Sequence, residues 1–126
     1  MTAYILDTHA IVWSLITPDK LSNQGHKIIA DAEFLLVPTA AFLELEYLIE
    51  TKKIDVELKE FLRIFNTYDQ WKVIPFDKAA AKEASKLKGN RDPFDRMILG
   101  QAIALDMPIL TKDKWMKKTA PKLTVW

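Results

Sequence analysis

Four short apolar runs, each too brief for a globular helix, restrict what this chain can fold into. "AYILD" ends at Asp7, "FLLVP" at Pro38, "WKVIPF" at Phe76 and "PILT" at Thr111. Continuous apolar runs of this length read as strands buried on both faces. Between them lie stretches with helical spacing. "AIVWSLI" runs up to Pro18, and "SNQGHKIIADAE" has Ser22 as a cap. Thr39 is placed to cap "AAFLELEYLIETKK". "VELKEFLRIFNTY" repeats Val56, Leu58, Phe61, Leu62, Ile64 and Phe65 on one face. Asp77 opens "KAAAKEASKL", which Gly89 closes, and a last helix runs from Asp92 to about Asp106. Strands alternating with helices imply one α/β domain over residues 1–126. Its central sheet is mostly parallel, with four strands, or five if "LTVW" pairs, and helices on both faces.

Composition narrows the chemistry. There is no cysteine, which excludes disulfides and thiolate metal sites. No basic leader or long apolar segment follows Met1, so the expectation is a cytoplasmic chain with no membrane partner. The formal net charge of +1 neither demands nor forbids a nucleic-acid partner. Lys112, Lys114, Lys117, Lys118 and Lys122 crowd the C-terminus, as a solvated face or as a phosphate-binding flank. No glycine-rich phosphate loop is present. His9 and His26, the two histidines, lack zinc-like spacing, and His9 stands two residues after Asp7.

The acids carry the functional question. In open α/β sheets ligands sit outside the carboxyl ends of strands. Asp7 ends the first strand and Asp113 lies just past the fourth. Asp92 and Asp95 open the helix that feeds the fourth strand, and Glu44 lies in the second turn after the second strand. Each has a plain structural alternative. Asp92 fits an N-cap with Pro93 at the first helical position, and Asp95 at the third resembles a capping box. Asp113 fits a turn, and Glu44 and Glu46 border the stripe Phe42, Leu45, Leu48 and Ile49 on either side. Asp7 is hardest to dismiss, because a carboxylate directly after a buried strand is costly unless paired, hydrogen-bonded or bound to metal. Several clustered carboxylates raise each other's pKa, a penalty that a hard divalent cation removes.

These residues resemble the PIN-domain ribonucleases of the VapC toxin type. "YILDTHAIVW" is similar to the family's opening strand and first acid, Asp7, followed by Thr8. "AAFLELEYL" resembles its Glu-Leu-x-x-Leu helix and selects Glu44 over Glu46. "RDPFDRMILGQA" resembles the third motif, with Asp95 and Ala102, and "ILTKDKW" the fourth, with Thr111 and Asp113. The likeness spans the whole chain. One departure is Asn90, where relatives with these motifs often carry histidine.

The resemblance implies a PIN-like fold and an endoribonuclease cutting RNA with one or two Mg2+ or Mn2+ ions. Asp7, Glu44, Asp95 and Asp113 are then the catalytic and metal-holding acids. Thr8 and Thr111 are expected to orient water or phosphate, and Asp92 to assist from behind. Arg96 is expected to orient the acids or contact phosphate. The resemblance also implies a small antitoxin partner and a homodimer. Two other classes fit less well. A receiver-type phosphoacceptor domain would need Asp77 as its acceptor, and a haloacid dehalogenase-type phosphatase would need an acid where His9 stands. A PIN fold used only for RNA binding need not keep the acids.

Overall fold

The computed structural model describes residues 2–126. Its five strands are β1 (Ala3–Leu6), β2 (Phe34–Pro38), β3 (Trp71–Ile74), β4 (Ile109–Leu110) and β5 (Thr124–Val125). They form one sheet in the order β3-β2-β1-β4-β5, every neighbouring pair parallel. The seven α-helices among the described residues are α1 (Thr8–Leu15), α2 (Asn23–Asp31), α3 (Thr39–Glu50), α4 (Leu58–Thr67), α5 (Lys78–Ser85), α6 (Pro93–Leu105) and α7 (Lys114–Thr119). "LTVW" does supply the fifth strand, through pairing of Ile109 with Thr124 and Leu110 with Val125.

Successive strand residues point to opposite faces. Ile5 and Leu6 on β1, and Ile109 and Leu110 on β4, are all fully buried. Both faces of the sheet centre are therefore covered, as parallel strands joined by helices require. Burying each such aliphatic side chain stabilises the fold by roughly 1.5–3 kcal/mol, so these two strands anchor the sheet. β3 is an edge strand, and its Lys72 and Val73 are exposed.

Local signals set most helix starts. Ser22 caps α2 by accepting from the Gly25 amide, and Asp77 caps α5 by accepting from the Ala80 amide. Three expectations need correction. Thr39 is not a cap: Pro38 takes that position, and the Thr39 hydroxyl accepts instead from the Phe76 amide beyond β3. Val56 precedes α4 rather than belonging to it. Helix α5 ends at Ser85, and Gly89 makes a separate turn at φ +85° beneath the Trp115 indole.

The strand order excludes the receiver-type alternative, whose doubly wound sheet runs 2-1-3-4-5. Here the chain steps from β1 to β2 on one side, while β4 and β5 lie on the other. The direction of winding thus reverses between β1 and β4, where α/β sheets open a crevice at their carboxyl edge. Helix α6 reaches β4 through only Asp106, Met107 and Pro108. It must run antiparallel to β4, which sets its N-terminus at that same edge. Gly100 lets α6 approach α5, since a Cβ there would lie 2.7 Å from the Ala84 Cβ and amide nitrogen.

Candidate active site

Asp7 directly follows β1 and is 7% exposed. Its Oδ1 accepts from the Ala10 amide at 2.8 Å, which makes it the N-cap of α1. Its Oδ2 accepts from the Thr111 hydroxyl across the β1–β4 crevice. Thr111 in turn accepts from the Asp113 amide at 3.0 Å, and Asp113 caps α7 by accepting from the Met116 amide at 2.8 Å. On the other side of Asp7, the buried Thr8 hydroxyl donates to Glu44 Oε1 on α3. One hydrogen-bonded chain therefore links Glu44, residues 7 and 8, Thr111 and Asp113.

Asp95 joins from α6. Its Oδ2 accepts from the Asn90 amide nitrogen at 3.0 Å. Asn90 Oδ1 accepts from the Asp92 amide at 2.9 Å, and Asp92 Oδ1 caps α6 through the Phe94 and Asp95 amides at 2.9 and 3.4 Å. Asp92 is thus the N-cap that its place before Pro93 implied. The capping box is not completed, however: Asn90, not Asp95, receives the Asp92 amide. The residue standing where relatives often have histidine is the bridge that holds Asp95.

The electrostatics reflect shared space. Burial pushes the Asp7 carboxyl up to about 6 and the Asp113 charge pushes the same way, against the Thr111 and Ala10 hydrogen bonds and the His9 charge. Asp95 is also pushed up to about 6, first by burial and then by Asp92, Asp113 and Glu44, while Asn90 opposes the rise. Glu44 is raised by burial and by Asp92 and Asp7, with Thr8 and His9 opposing. These mutual influences bring Asp7, Glu44, Asp95 and Asp113 into one electrostatic neighbourhood.

No ion pair relieves it. The salt bridges among the described residues are Lys59–Glu57, Arg63–Glu60 and Lys86–Glu83, all away from these acids. Arg96 makes no ion pair with these acids; it lines one groove with Phe76, Ala81 and Ala84 and another with Gly89, Asn90 and Arg91. Thr8 and Thr111 orient carboxylates, their hydroxyl protons going to Glu44 and Asp7.

Among the described residues, no three carboxylate or imidazole groups stand close enough to coordinate one ion as they lie. The donor set nevertheless suits a hard divalent ion. It is all oxygen and anionic, and Glu44, Asp95 and Asp113 each commit one oxygen to a protein donor and keep a second. Capping and coordination are thus compatible roles for Asp113, which keeps one oxygen beside its cap.

Two residues noted in the sequence take on contacts there. Asn90, noted only as a departure, carries no local signal for its tertiary bridge. His9, exposed on α1 two residues after Asp7, stacks obliquely on Trp13 at 5.6 Å and helps line a cleft of about 270 Å³ with Asp7, Lys112 and Asp113. A spacing of four on a helix predicts that pair. A larger cavity of about 660 Å³, between α3 and α4, is lined by Ile49, Ile54 and Val56 and lies apart from the acids.

A family model described as "PIN domain" matches residues 4–122. The chain is 26% identical over 130 residues to "Ribonuclease VapC22" of Mycobacterium tuberculosis (strain ATCC 25618 / H37Rv), covering 100% of both. Among solved structures it is similar to VapBC2 from Rickettsia felis, bound to a promoter DNA fragment. That match has TM-score 0.69 and 18% identity, over 98% of this chain and 97% of the other. DNA-bound VapBC from Salmonella typhimurium matches with TM-score 0.67 and 16% identity, over 100% of this chain and 98% of the other. At these identities the solved structures establish the fold.

Proposed function

Because this chain belongs to the PIN domain family, we propose that it is a divalent-metal-dependent endoribonuclease and the toxin of a toxin–antitoxin pair. The observation that carries the reading is the hydrogen-bonded linkage of Glu44, Asp7 and Asp113 through Thr8 and Thr111, with Asp7, Glu44 and Asp95 raised in pKa by burial and by neighbouring acids and with none of the four acids in a salt bridge among the described residues. The ribonuclease relative and the antitoxin-bound structural neighbours support the substrate and partner classes. The domain is residues 1–126.

These four acids would hold one or two Mg2+ or Mn2+ ions. Such an ion, when bound, supplies Lewis-acid charge to the scissile phosphate and its attacking water. The chain's own residues prepare that event. The Thr111 hydroxyl and the Ala10 amide lock the Asp7 rotamer, and Thr8 does the same for Glu44. Asn90 fixes one oxygen of Asp95 and leaves the other. Asp92 acts behind them, holding the α6 start. Arg96, beside Asn90, is the proposed phosphate contact. A small antitoxin is the proposed inhibitor, and exposed Leu43 and Tyr47 on α3 offer apolar surface for it or for a second copy in a homodimer.

The test is cleavage of single-stranded RNA with Mg2+, Mn2+ or chelator, for the unsubstituted chain and for Asp7→Asn and Asp95→Asn. Cleavage only with metal and only with both acids is expected. Activity that survives chelation and both substitutions refutes the reading.

A further inference from the structure

The cleft beside Asp7 and Asp113 has an aromatic wall that the acids do not need. Trp13 is half-buried on α1, one and a half turns beyond Asp7, and its ring meets Trp126 edge-on at 5.5 Å and 67°. His9 lies one turn earlier on the same face of α1. Lys20 and Lys112, both exposed, hold their ammonium groups 5.9 and 6.0 Å from the Trp13 ring centre. Trp71, by contrast, is a core residue packed on Phe65 and 5% exposed.

An indole lining a cleft, backed by a second indole and flanked by two exposed cations, matches how single-stranded nucleic acid is held. Bases stack on aromatic faces with little regard to sequence, while lysines follow the phosphates. The cleft has a volume of about 270 Å³, small enough that only part of a nucleotide would enter it. Two acids on one wall and a stacking ring on the other would set a base on Trp13 and the adjoining phosphate near the carboxylates. The lysines are exposed, so their hold on the half-buried ring is weak and they can turn to phosphate.

We propose that Trp13 and His9, with Lys20 and Lys112, form a nucleobase-stacking subsite that receives the nucleotide next to the scissile phosphate. The proposal rests on the ribonuclease reading. It makes Trp13 a positioning residue for substrate with little preference among bases.

The test uses the full chain carrying Asp95→Asn, to suppress cleavage. The probes are a fluorescein-labelled single-stranded RNA and its abasic counterpart, followed by polarisation. Trp13→Leu should weaken binding of base-bearing RNA about ten- to a hundredfold and leave abasic RNA unchanged. Lys112→Ala should weaken both probes alike and lower the salt dependence by about 0.7 in log–log slope. His9 is exposed, so His9→Ala tests the subsite without disturbing the core and should show the same base-dependent loss at smaller size. RNA containing 2-aminopurine should be quenched on binding wild-type Trp13 and remain bright with Trp13→Leu. Equal losses on both probes, or none for either Trp13→Leu or His9→Ala, would overturn the subsite while cleavage by the unsubstituted chain upholds the ribonuclease reading. If the unsubstituted chain neither binds nor cuts RNA, both fall together.

Discussion

Asp7→Asn should make the metal-free protein more stable at the pH where it abolishes activity. The Asp7 carboxyl is pushed up from 3.8 to about 6 by burial. A group with a raised folded pKa stabilises fully below its unfolded value, and that contribution is lost as pH rises through the folded value. At about pH 8 the ionised Asp7 therefore costs the fold as much as two pKa units, about 3 kcal/mol as a ceiling. Asparagine carries no charge and can still accept from the Ala10 amide as an N-cap. It loses the charged acceptor for Thr111, a cost of about 1 kcal/mol. The net expectation is a gain of roughly 1–2 kcal/mol in chelator at about pH 8, or about 4–8 °C in Tm for a chain of this size. At about pH 5, between the unfolded value of 3.8 and the folded value of about 6, roughly half of that cost remains, so after the lost hydrogen bond the gain should shrink to below about 1 kcal/mol, and it should vanish only below about pH 4. Comparing the two proteins at each pH cancels the titration of every group that the Asp7 charge does not reach. Saturating Mg2+ should reverse the order, since ligand at a hundred times Kd adds about 2.7 kcal/mol to a chain that binds it. Scanning calorimetry in chelator and in Mg2+ at both pH values decides. An Asn variant that melts lower than wild type by the same amount at both pH values would refute the reasoning, and make Asp7 an ordinary stabilising cap.

Asn90→Ala removes the donor to Asp95 and the acceptor for the Asp92 amide; cleavage assays should show a loss of about ten- to a hundredfold, as for other partners of metal-holding groups. Asn90→Asp keeps the acceptor but sets a second charge beside Asp95, so the Asp95 pKa should rise above about 6 in carboxyl-detected NMR titrations. Asp95 must be ionised to hold a cation, so Mg2+ affinity measured by calorimetry should fall as pH drops below about 6 and level off above it. Gly100→Ala places a methyl 2.7 Å from the Ala84 backbone nitrogen, forcing α5 and α6 apart. Urea unfolding should show a loss of about 1–3 kcal/mol.

Much of this molecule was legible because its signals are local. Apolar runs flanked by Ser22, Asp77 and Asp92 mark strands and caps that need only neighbouring residues to form. The resemblance selected Glu44 over Glu46, and Glu44 is the one that Thr8 holds. Thr39 was misread because its partner, the Phe76 amide, lies 37 residues away. Asn90 was read only as a departure, because its bridge to Asp95 depends on how residues 86–92 fold back. Arg96 stands beside two acids in sequence yet makes no ion pair with them, and lines grooves with Phe76 on one side and Asn90 on the other.

By itself, then, the amino-acid order determined the parallel α/β class, the positions of strands and caps, and the residue types available for chemistry. Periodicity and capping are short-range effects, and the chain states them directly. Only the tertiary structure decided that β4 lies beside β1, which brings Thr111 to Asp7 across 104 residues. Strand order is set by which crossovers bury the sheet on both faces, a property of the whole chain. The same packing desolvates Asp7 and Asp95, and so turns ordinary helix caps and first-turn acids into a strained group suited to a divalent ion.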